Sequence, residues 1–370
     1  MKKILSKTIL AASLLSGLGL LFTGYAGFLN PNSWSWLSLA GYGFPVFLVL
    51  TVACLAVCAL MKKRYLGIPF LFLLAAYQPV TLYCPVHLSG LTREAQFTDS
   101  TFTVMSYNTY NWARDHKGEY RNMHPNKIIE YIGSRPADVV CLQESTYDEY
   151  ASKEIDSILK KDYPYVDTIH GYSGTVAMIV SRYPIVRHQL IEYETKANTS
   201  GAFWINYKGQ EIIVVSCHLQ TMGFSMSDRE EFGEMMHGQR SQRHEIKNTS
   251  RTIMGKILRA TKKRAGQAEA VAEFLRSHSG ERMIVCGDFN DIPQSYTYNT
   301  IISALDERGS LTDCFRQTAF GPGYSYSHFG MRARIDNILC SQHFEPRACT
   351  VDRSIDMSDH FPIISQLCLR

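Results

Sequence analysis

Five apolar runs in this chain each end in, or lead toward, a short polar signature, and the signatures come in one order. Phe102-Thr-Val-Met precedes SYN ending at Asn108, Val139-Val-Cys-Leu precedes QE ending at Glu144, and Ile212-Ile-Val-Val precedes HL beginning at His218. Met283-Ile-Val-Cys leads into GDFN from Gly287 to Asn290, and Arg334-Ile-Asp336-Asn-Ile-Leu comes before SDH ending at His360. Short apolar runs bounded by turn formers read as strands buried on both faces. Polar residues at the ends of several strands converge on one rim of a sheet, so the expectation is an α/β fold with a single site. Asn, Glu, Asp, Asn, Asp and two His suit a hard divalent cation and a phosphate ester.

The chain divides near residue 92. Six of its 38 basic residues and none of its 34 acidic ones fall before that point, leaving residues 93–370 with a formal charge of −2. The net positive charge of the whole therefore says little about nucleic acid. Residues 1–92 read as a membrane region with about three spans, 9–28, 37–61 and 66–86, since about twenty apolar residues cross a hydrocarbon core. Pro69 and Pro79 interrupt the third, and Trp34 and Trp36 in the first connection suit an interface. A cleaved signal is the plainer reading of the first span, but two further spans would follow it. Lys2, Lys3 and Lys7 precede span one, and Lys62, Lys63 and Arg64 separate spans two and three. The positive-inside rule puts both clusters in the cytoplasm and the rest outside, as in an integral protein of a bacterial cytoplasmic membrane. Residues 93–370 are long enough for one large α/β catalytic domain, held close by a linker at about 87–100.

None of the ten cysteines shows Cys-x-x-Cys spacing, which argues against zinc. Cys141, Cys217, Cys286 and Cys340 lie in expected core strands, where thiols pack as small apolar groups.

Mg²⁺ takes oxygen ligands and keeps several waters, so one or two carboxylates suffice. Glu144, emerging where its strand ends, is the first expected ligand. Asn108 is placed to support the metal or the phosphate through its amide oxygen, and Asp359 to face the metal. Gly287 is expected to allow a tight turn after its strand, and Phe289 to turn back into the core. Asp288 and Asn290, two apart in an extended chain, then face one way. Asp288 is expected to orient or activate the attacking water, and Asn290 to hold a phosphate oxygen. Asp291 reads as part of a structural turn. His218 and His360 are expected to donate to the phosphate when protonated, and a carboxylate must fix such a ring. Asp336, a charge inside an apolar strand, is the expected partner of His360; the plain alternative is a bond to backbone or to Arg334.

The ordered set SYN, QE, HL, GDFND and SDH, with RID before the last, resembles the endonuclease/exonuclease/phosphatase (DNase I-like) superfamily over about residues 100–370. The segment from Gly174 to Ile185 is similar as well. The resemblance implies a four-layer α/β sandwich, two stacked mixed sheets flanked by helices, with Mg²⁺ or Mn²⁺ dependence at a site on one end. The continuation Thr109-Tyr-Asn-Trp112 and the Ser145 after Glu144 depart from the abasic-site nucleases of that group.

The expected activity is hydrolysis of phosphate esters, foremost phosphodiesters of phospholipid or sphingolipid head groups at the bilayer. Alternatives are a nuclease on extracytoplasmic DNA or RNA, a phosphomonoesterase on inositol-phosphate-like substrates, and a binding module that has lost catalysis. No obligate protein partner is implied. Between His218 and the GDFN strand, residues 220–265 form an insertion whose second half is basic, from Arg240 to Lys262, Lys263 and Arg264. Apolar spacing predicts a helix over about 250–278, its charges either a solvated face or a lip that binds anionic head groups.

Overall fold

The computed structural model describes residues 2–61, 63–88, 101–113, 125–171, 174–236, 243–305, 309–328 and 330–370. Most of the expected linker, and Arg240 of the basic insertion, lie outside the described residues. The strands in chain order are β1 (Phe102–Asn108), β2 (Val139–Gln143), β3 (Tyr165–His170), β4 (Val176–Ser181), β5 (Ile185–Ile191), β6 (Ser200–Tyr207) and β7 (Gln210–His218). They continue with β8 (Met283–Asp288), β9 (Thr312–Asp313), β10 (Tyr326–His328), β11 (Met331–Ala333), β12 (Asp336–Cys340), β13 (Phe344–Val351) and β14 (Ile363–Leu369).

Two six-stranded mixed sheets result, ordered β13-β14-β1-β2-β4-β3 and β5-β6-β7-β8-β12-β9. Each holds one parallel pair, β1 with β2 and β7 with β8. Strand alternation sorts the side chains into layers. Phe102, Val104, Val139, Cys141, Val214, Ile284, Cys286 and Ile338 fill the space between the sheets. Their sequence neighbours point outward: Met105, Val140 and Leu142 meet Ile128, Ile132 and Ile155 of α5 (Lys127–Gly133) and α6 (Glu149–Ile158). On the other flank Ile213, Val215 and Val285 meet Ala268, Val271 and Leu275 of a long helix. Both faces of every central strand are buried, which is why those strands read as unbroken apolar runs. The result is the four-layer sandwich.

Ahead of it stand α1 (Lys2–Gly24), α2 (Phe44–Met61), α3 (Gly67–Ala75) and α4 (Tyr77–Tyr83). Among the described residues, two helical stretches, Lys3–Phe28 and Leu37–Met61, are long and apolar enough to cross a membrane. Only 28% and 17% of their apolar windows are buried, unlike the core helices of a soluble protein. Residues 66–86, expected as a single span, are instead two helices broken at Ala76. Pro79 has no N–H to give the carbonyl of Ala75, and its ring would crowd that carbonyl in a continuous helix. The Ala75 oxygen accepts from the Tyr25 hydroxyl at 2.8 Å instead. The broken segment still runs beside α1 over its length, with Ser6 on Tyr65, Gly17 against Phe72 and Gly24 against Pro79.

The connection between α1 and α2 packs on the sandwich. A Cβ at Gly27 or Gly41 would lie 2.9 or 2.7 Å from the carbonyl oxygen of Ser295 or Gln294, so only glycine permits this approach. The Gln294 side chain donates to Pro79 O at 3.2 Å, and Arg334 to Leu82 O at 3.1 Å. All ten cysteines are unpaired, and Cys141, Cys217, Cys286 and Cys340 are buried.

The insertion forms α7 (Met226–Met236) and α8 (Arg243–Ser277), the latter starting before the expected residue 250. Arg264, expected on its solvent face, is wholly buried and ion-paired to Asp291 at 3.0 Å. Asp291 is thus more than a turn residue: it also accepts from Tyr42 and Thr297. Helical spacing put Arg264 beside Ala265 and Ala268, on the face that packs inward, and a buried carboxylate offsets its desolvation.

Candidate active site

The inward alternation that fills the core does not stop at the sheet edge. In β1 the series Phe102, Val104, Ser106 ends at Asn108, and in β7 Ile212, Val214, Ser216 ends at His218. In β8 Ile284 and Cys286 lead to Asp288, and β12 begins at Asp336 on the face of Ile338. Where the sheets part, these positions become polar and meet one another. Gln143, next in the inward series of β2, bridges the sheets through Ser216 Oγ at 3.1 Å.

Glu144 falls on the opposite parity and would point away from that rim. Its φ of 50° turns it back. A left-handed turn at Tyr110, Asn111, Trp112 and Ala113, with φ from 47° to 65°, backs this arrangement. Asn111 N donates to Glu144 O at 2.8 Å, and Trp112, fully buried, donates to Thr146 O at 2.8 Å. Left-handed backbone costs about 1–2 kcal/mol per residue outside glycine, and burial of Trp112 helps hold it.

Asp288 is the hub. Its Oδ2 accepts from Asn108 Nδ2 at 3.1 Å and Asn290 Nδ2 at 3.0 Å, and lies 3.7 Å from His360 Nε2 and 3.9 Å from His218 Nε2. Asn108 donates also to Glu144 Oε1 at 3.2 Å, while its amide oxygen accepts from Tyr110 N at 3.1 Å. Asn108 therefore bridges two carboxylates through its N–H groups. Asn290 is not extended: its φ is 52°, and its N–H donates to Asp288 Oδ1 at 2.8 Å. It reaches Asp288 through a local turn that Asn tolerates, and its other amide hydrogen goes to Leu219 O at 3.0 Å. Gly287 makes no turn after the strand; it lies within β8, where a Cβ would stand 2.0 Å from Cys217 O on the neighbouring strand. Phe289 packs in the core.

His360 Nδ1 lies 2.9 Å from Asp336 Oδ2, both buried, and Arg334 pairs instead with Asp313 at 2.9 Å. Burial alone would lower the His360 pKa, yet Asp336 and Asp288 together hold it well above the ordinary imidazole value. Burial pushes Asp288 up to about 7, against the pull of His360. Two carboxylates, Asp336 bonded at Nδ1 and Asp288 at 3.7 Å from Nε2, favour the charged form of His360. His218 differs: burial lowers its pKa, against Glu144 at 3.5 Å. Asn198 Nδ2 sits 3.3 Å from His218 Nε2 and 2.9 Å from Leu219 O; that carbonyl fixes the amide's orientation, so the imidazole nitrogen accepts.

Asp359 lines the same cavity as Glu144, Asp288, Asn290 and His360, a space of about 500 Å³. It forms an ion pair with Arg229 at 3.8 Å. Asn198 and Arg229 carry no signal in the sequence, since each lies in a loop or insertion with no flanking motif. Among the described residues, Asp288, Asp336 and His360 offer three ligand atoms within 4.8 Å of one another. Nδ1 of His360 is already engaged by Asp336 within that group. Glu144, a third exposed, and Asp359 offer the oxygen donors that a hydrated hard cation takes.

Residues 105–360 match the Endonuclease/Exonuclease/phosphatase family, and residues 6–83 match a domain of unknown function, DUF8431. No curated protein matches the chain significantly. The human Nocturnin catalytic domain superposes with a TM-score of 0.52 at 15% identity, covering 76% of this chain and 99% of that one. An endonuclease/exonuclease/phosphatase from Beutenbergia cavernae gives 0.52 at 16%, covering 73% and 72%. A humanized D. rerio TDP2 gives 0.50 at 13%, covering 73% and 99%. These likenesses establish the fold, and the match over 105–360 establishes the lineage. The chain belongs to the Endonuclease/Exonuclease/phosphatase family, whose enzymes are generally divalent-metal dependent, and is a hydrolase of phosphate esters.

Proposed function

We propose that this hydrolase is a membrane-anchored, Mg²⁺-dependent phosphodiesterase whose catalytic domain lies outside the cytoplasmic membrane. The observation that carries the reading is the gathering of Asn108, His218, Asn290 and His360 around one oxygen of Asp288, with Glu144 and Asp336 bonded or adjacent to those side chains. A bound Mg²⁺ supplies neutralisation of the charge developing on the phosphoryl oxygens; Glu144 and Asp359, with Asn108 beside them, are the residues that would hold it.

Asp288, clamped by Asn108 and Asn290, orients the attacking water and takes its proton. His360, protonated and fixed by Asp336, donates to a phosphoryl oxygen. Both amide hydrogens of Asn290 are spent on Asp288 and Leu219, which makes it a positioning residue for Asp288. His218 Nε2 accepts from Asn198, so donation falls to His360. The cavity favours a diester: Glu144, Asp288 and Asp359 line it, and of the arginines along it, Arg229, Arg332 and Arg334, two are already ion-paired, Arg229 with Asp359 and Arg334 with Asp313. A monoanionic diester suits that balance better than a dianionic monoester.

Orientation follows from where the charges lie. Arg64 stands at the end of the helical bundle away from the sandwich, near the start of α1, whereas the α1–α2 connection packs on the sandwich. Positive charge marks the cytoplasmic end.

The test is the full chain in lipid nanodiscs with Mg²⁺, given bis(p-nitrophenyl) phosphate, p-nitrophenyl phosphate and plasmid DNA. Diester turnover that EDTA and Asp288→Asn abolish is expected. Turnover of the monoester or DNA alone, or none, overturns the reading.

A further inference from the structure

The cavity at the catalytic centre does not end with the catalytic residues. The same space is lined by Leu39, Tyr42 and Pro45, which belong to the connection leading into α2 and to its first turn. On its other side stand Ile253 and Ile257 of α8. The membrane region therefore forms part of the wall of the catalytic cavity. The wall is continuous from Asp288 to the residues where α2, the more apolar of the two candidate spans, begins.

This join is built tightly. Arg264 donates to Asp291, to Gln220 O and to Tyr42, and Tyr42 donates to Asp291, the residue after Asn290. Gly27 and Gly41 bring the α1–α2 connection against the backbone of Gln294 and Ser295, which follow the catalytic loop. One stretch of chain, residues 288–295, thus presents catalytic groups at its start and holds the membrane region at its end.

From this continuity we infer that the substrate is a phosphodiester carrying a long hydrocarbon chain. Its phosphate lies at Asp288 and His360, and the chain runs between α8 and the α1–α2 connection toward the bilayer. The inference rests on the phosphodiesterase reading and names the substrate class of that same site. A volume of about 500 Å³ falls in the range of small-ligand pockets. Carbon-rich walls recognise methylenes through burial, and each methylene moved out of water is worth a few-fold in binding. Leu39, Pro45, Ile253 and Ile257 give the wall its aliphatic stretch, set among aromatic side chains such as Tyr83 and Phe224.

A homologous series with one scissile bond tests this: p-nitrophenyl methyl, butyl and octyl phosphates, each below its aggregation concentration, with the full chain in nanodiscs and Mg²⁺. Water attacks phosphorus and p-nitrophenolate leaves in every case. The readout is the octyl-to-methyl ratio of kcat/KM, which does not depend on how much of a preparation is folded. Wild type should favour octyl at least tenfold. Ile257→Trp, which fills the cavity, and Leu39→Glu, which charges it, should bring the ratio near one. A wild-type ratio near one overturns the inference. So does a ratio unchanged in both variants, which would trace the preference to partitioning into the nanodisc. If wild type turns over none of the three esters, the phosphodiesterase reading itself has failed, a separate result.

Discussion

His360 and Asp336 meet at 2.9 Å, Nδ1 to Oδ2, with both side chains closed to solvent. The imidazolium is stabilised there although burial opposes it. Asp336→Asn should lower the His360 pKa, read from its ring proton shifts by NMR in EDTA, and cut kcat on a small diester about a hundredfold or more. The linked stability has a definite sign. A His pKa raised by folding stabilises fully below its unfolded value of about 6.5, and the benefit fades as pH rises through the folded value. The Tm gap between wild type and Asp336→Asn, measured without metal, should be wide near pH 6 and shrink as pH rises. A gap that grows with pH would sink the assignment.

His218 and His360 should separate by mutation. In the proposed assignment His360 is the charged donor, whereas burial lowers the pKa of His218, whose Nε2 faces the Asn198 amide. His360→Asn should therefore lose about tenfold more kcat than His218→Asn under identical Mg²⁺, within the span of general acid–base effects. Equal losses would place both rings in one role.

Glu144 and Asp288 share Asn108 as a bridge, at 3.2 and 3.1 Å. Their substitutions should nonetheless read out differently. Glu144→Gln should raise the Mg²⁺ concentration giving half-maximal rate, while Asp288→Asn should lower kcat with little change in that concentration. Asn108→Ala, which removes the bridge between the two carboxylates, should weaken Mg²⁺ affinity by about tenfold to a hundredfold, as losses around metal ligands do. Titrating Mg²⁺ against initial rate in each variant checks all three. A Glu144→Gln enzyme with unaltered Mg²⁺ response would remove Glu144 from the metal.

The core strands and the site were legible because both obey one period. Alternation placed Phe102, Val104 and Ile284 in the core, and the same alternation carries Asn108, His218 and Asp288 to the rim. The approach of Asn290 to Asp288 was legible only in outcome, because a positive φ and a local hydrogen bond, with no period of their own, bring it about. Glu144 is the sharper case: parity points it away, and a left-handed residue returns it. Arg264 was misread for another reason. Within a run of basic residues, nothing local marks the one whose partner, Asp291, lies across the fold, and a count of charges cannot show burial. The break at Ala76 was foreshadowed by Pro79, whereas the docking of residues 25–43 on the sandwich rests on long-range contacts that leave no periodic trace.

That buried pair yields a prediction of its own. Arg264 and Asp291 are both fully enclosed, whereas Lys263 beside Arg264 is exposed. Removing one partner of a buried ion pair costs about 3–5 kcal/mol, because the other charge stays behind unpaired. Arg264→Ala should lower the Tm in detergent by roughly 6–20 °C, given about 2–4 °C per kcal/mol for domains of 150–250 residues. Lys263→Ala should leave it within about 2 °C, as surface changes do. Similar shifts for the two would return Arg264 to the surface.

The proposed anchoring makes a prediction about which sites share a side of the membrane. Ser33 lies in the connection that packs on the sandwich, Ser157 is exposed on the sandwich, and Arg64 is at the opposite end of the bundle. If α1 and α2 cross the bilayer as proposed, the side that holds the catalytic domain also holds Ser33, and Arg64 lies across from both. Replacing Cys84 and Cys368, the partly accessible thiols outside the apolar helices, leaves a background for single-site labelling. In intact cells a membrane-impermeant maleimide should modify Ser33→Cys and Ser157→Cys, and should reach Arg64→Cys only after lysis. The reverse pattern would place the domain in the cytoplasm while keeping the helical arrangement. Labelling of all three sites from one side would mean that α1 and α2 do not cross, and the anchoring itself would be lost.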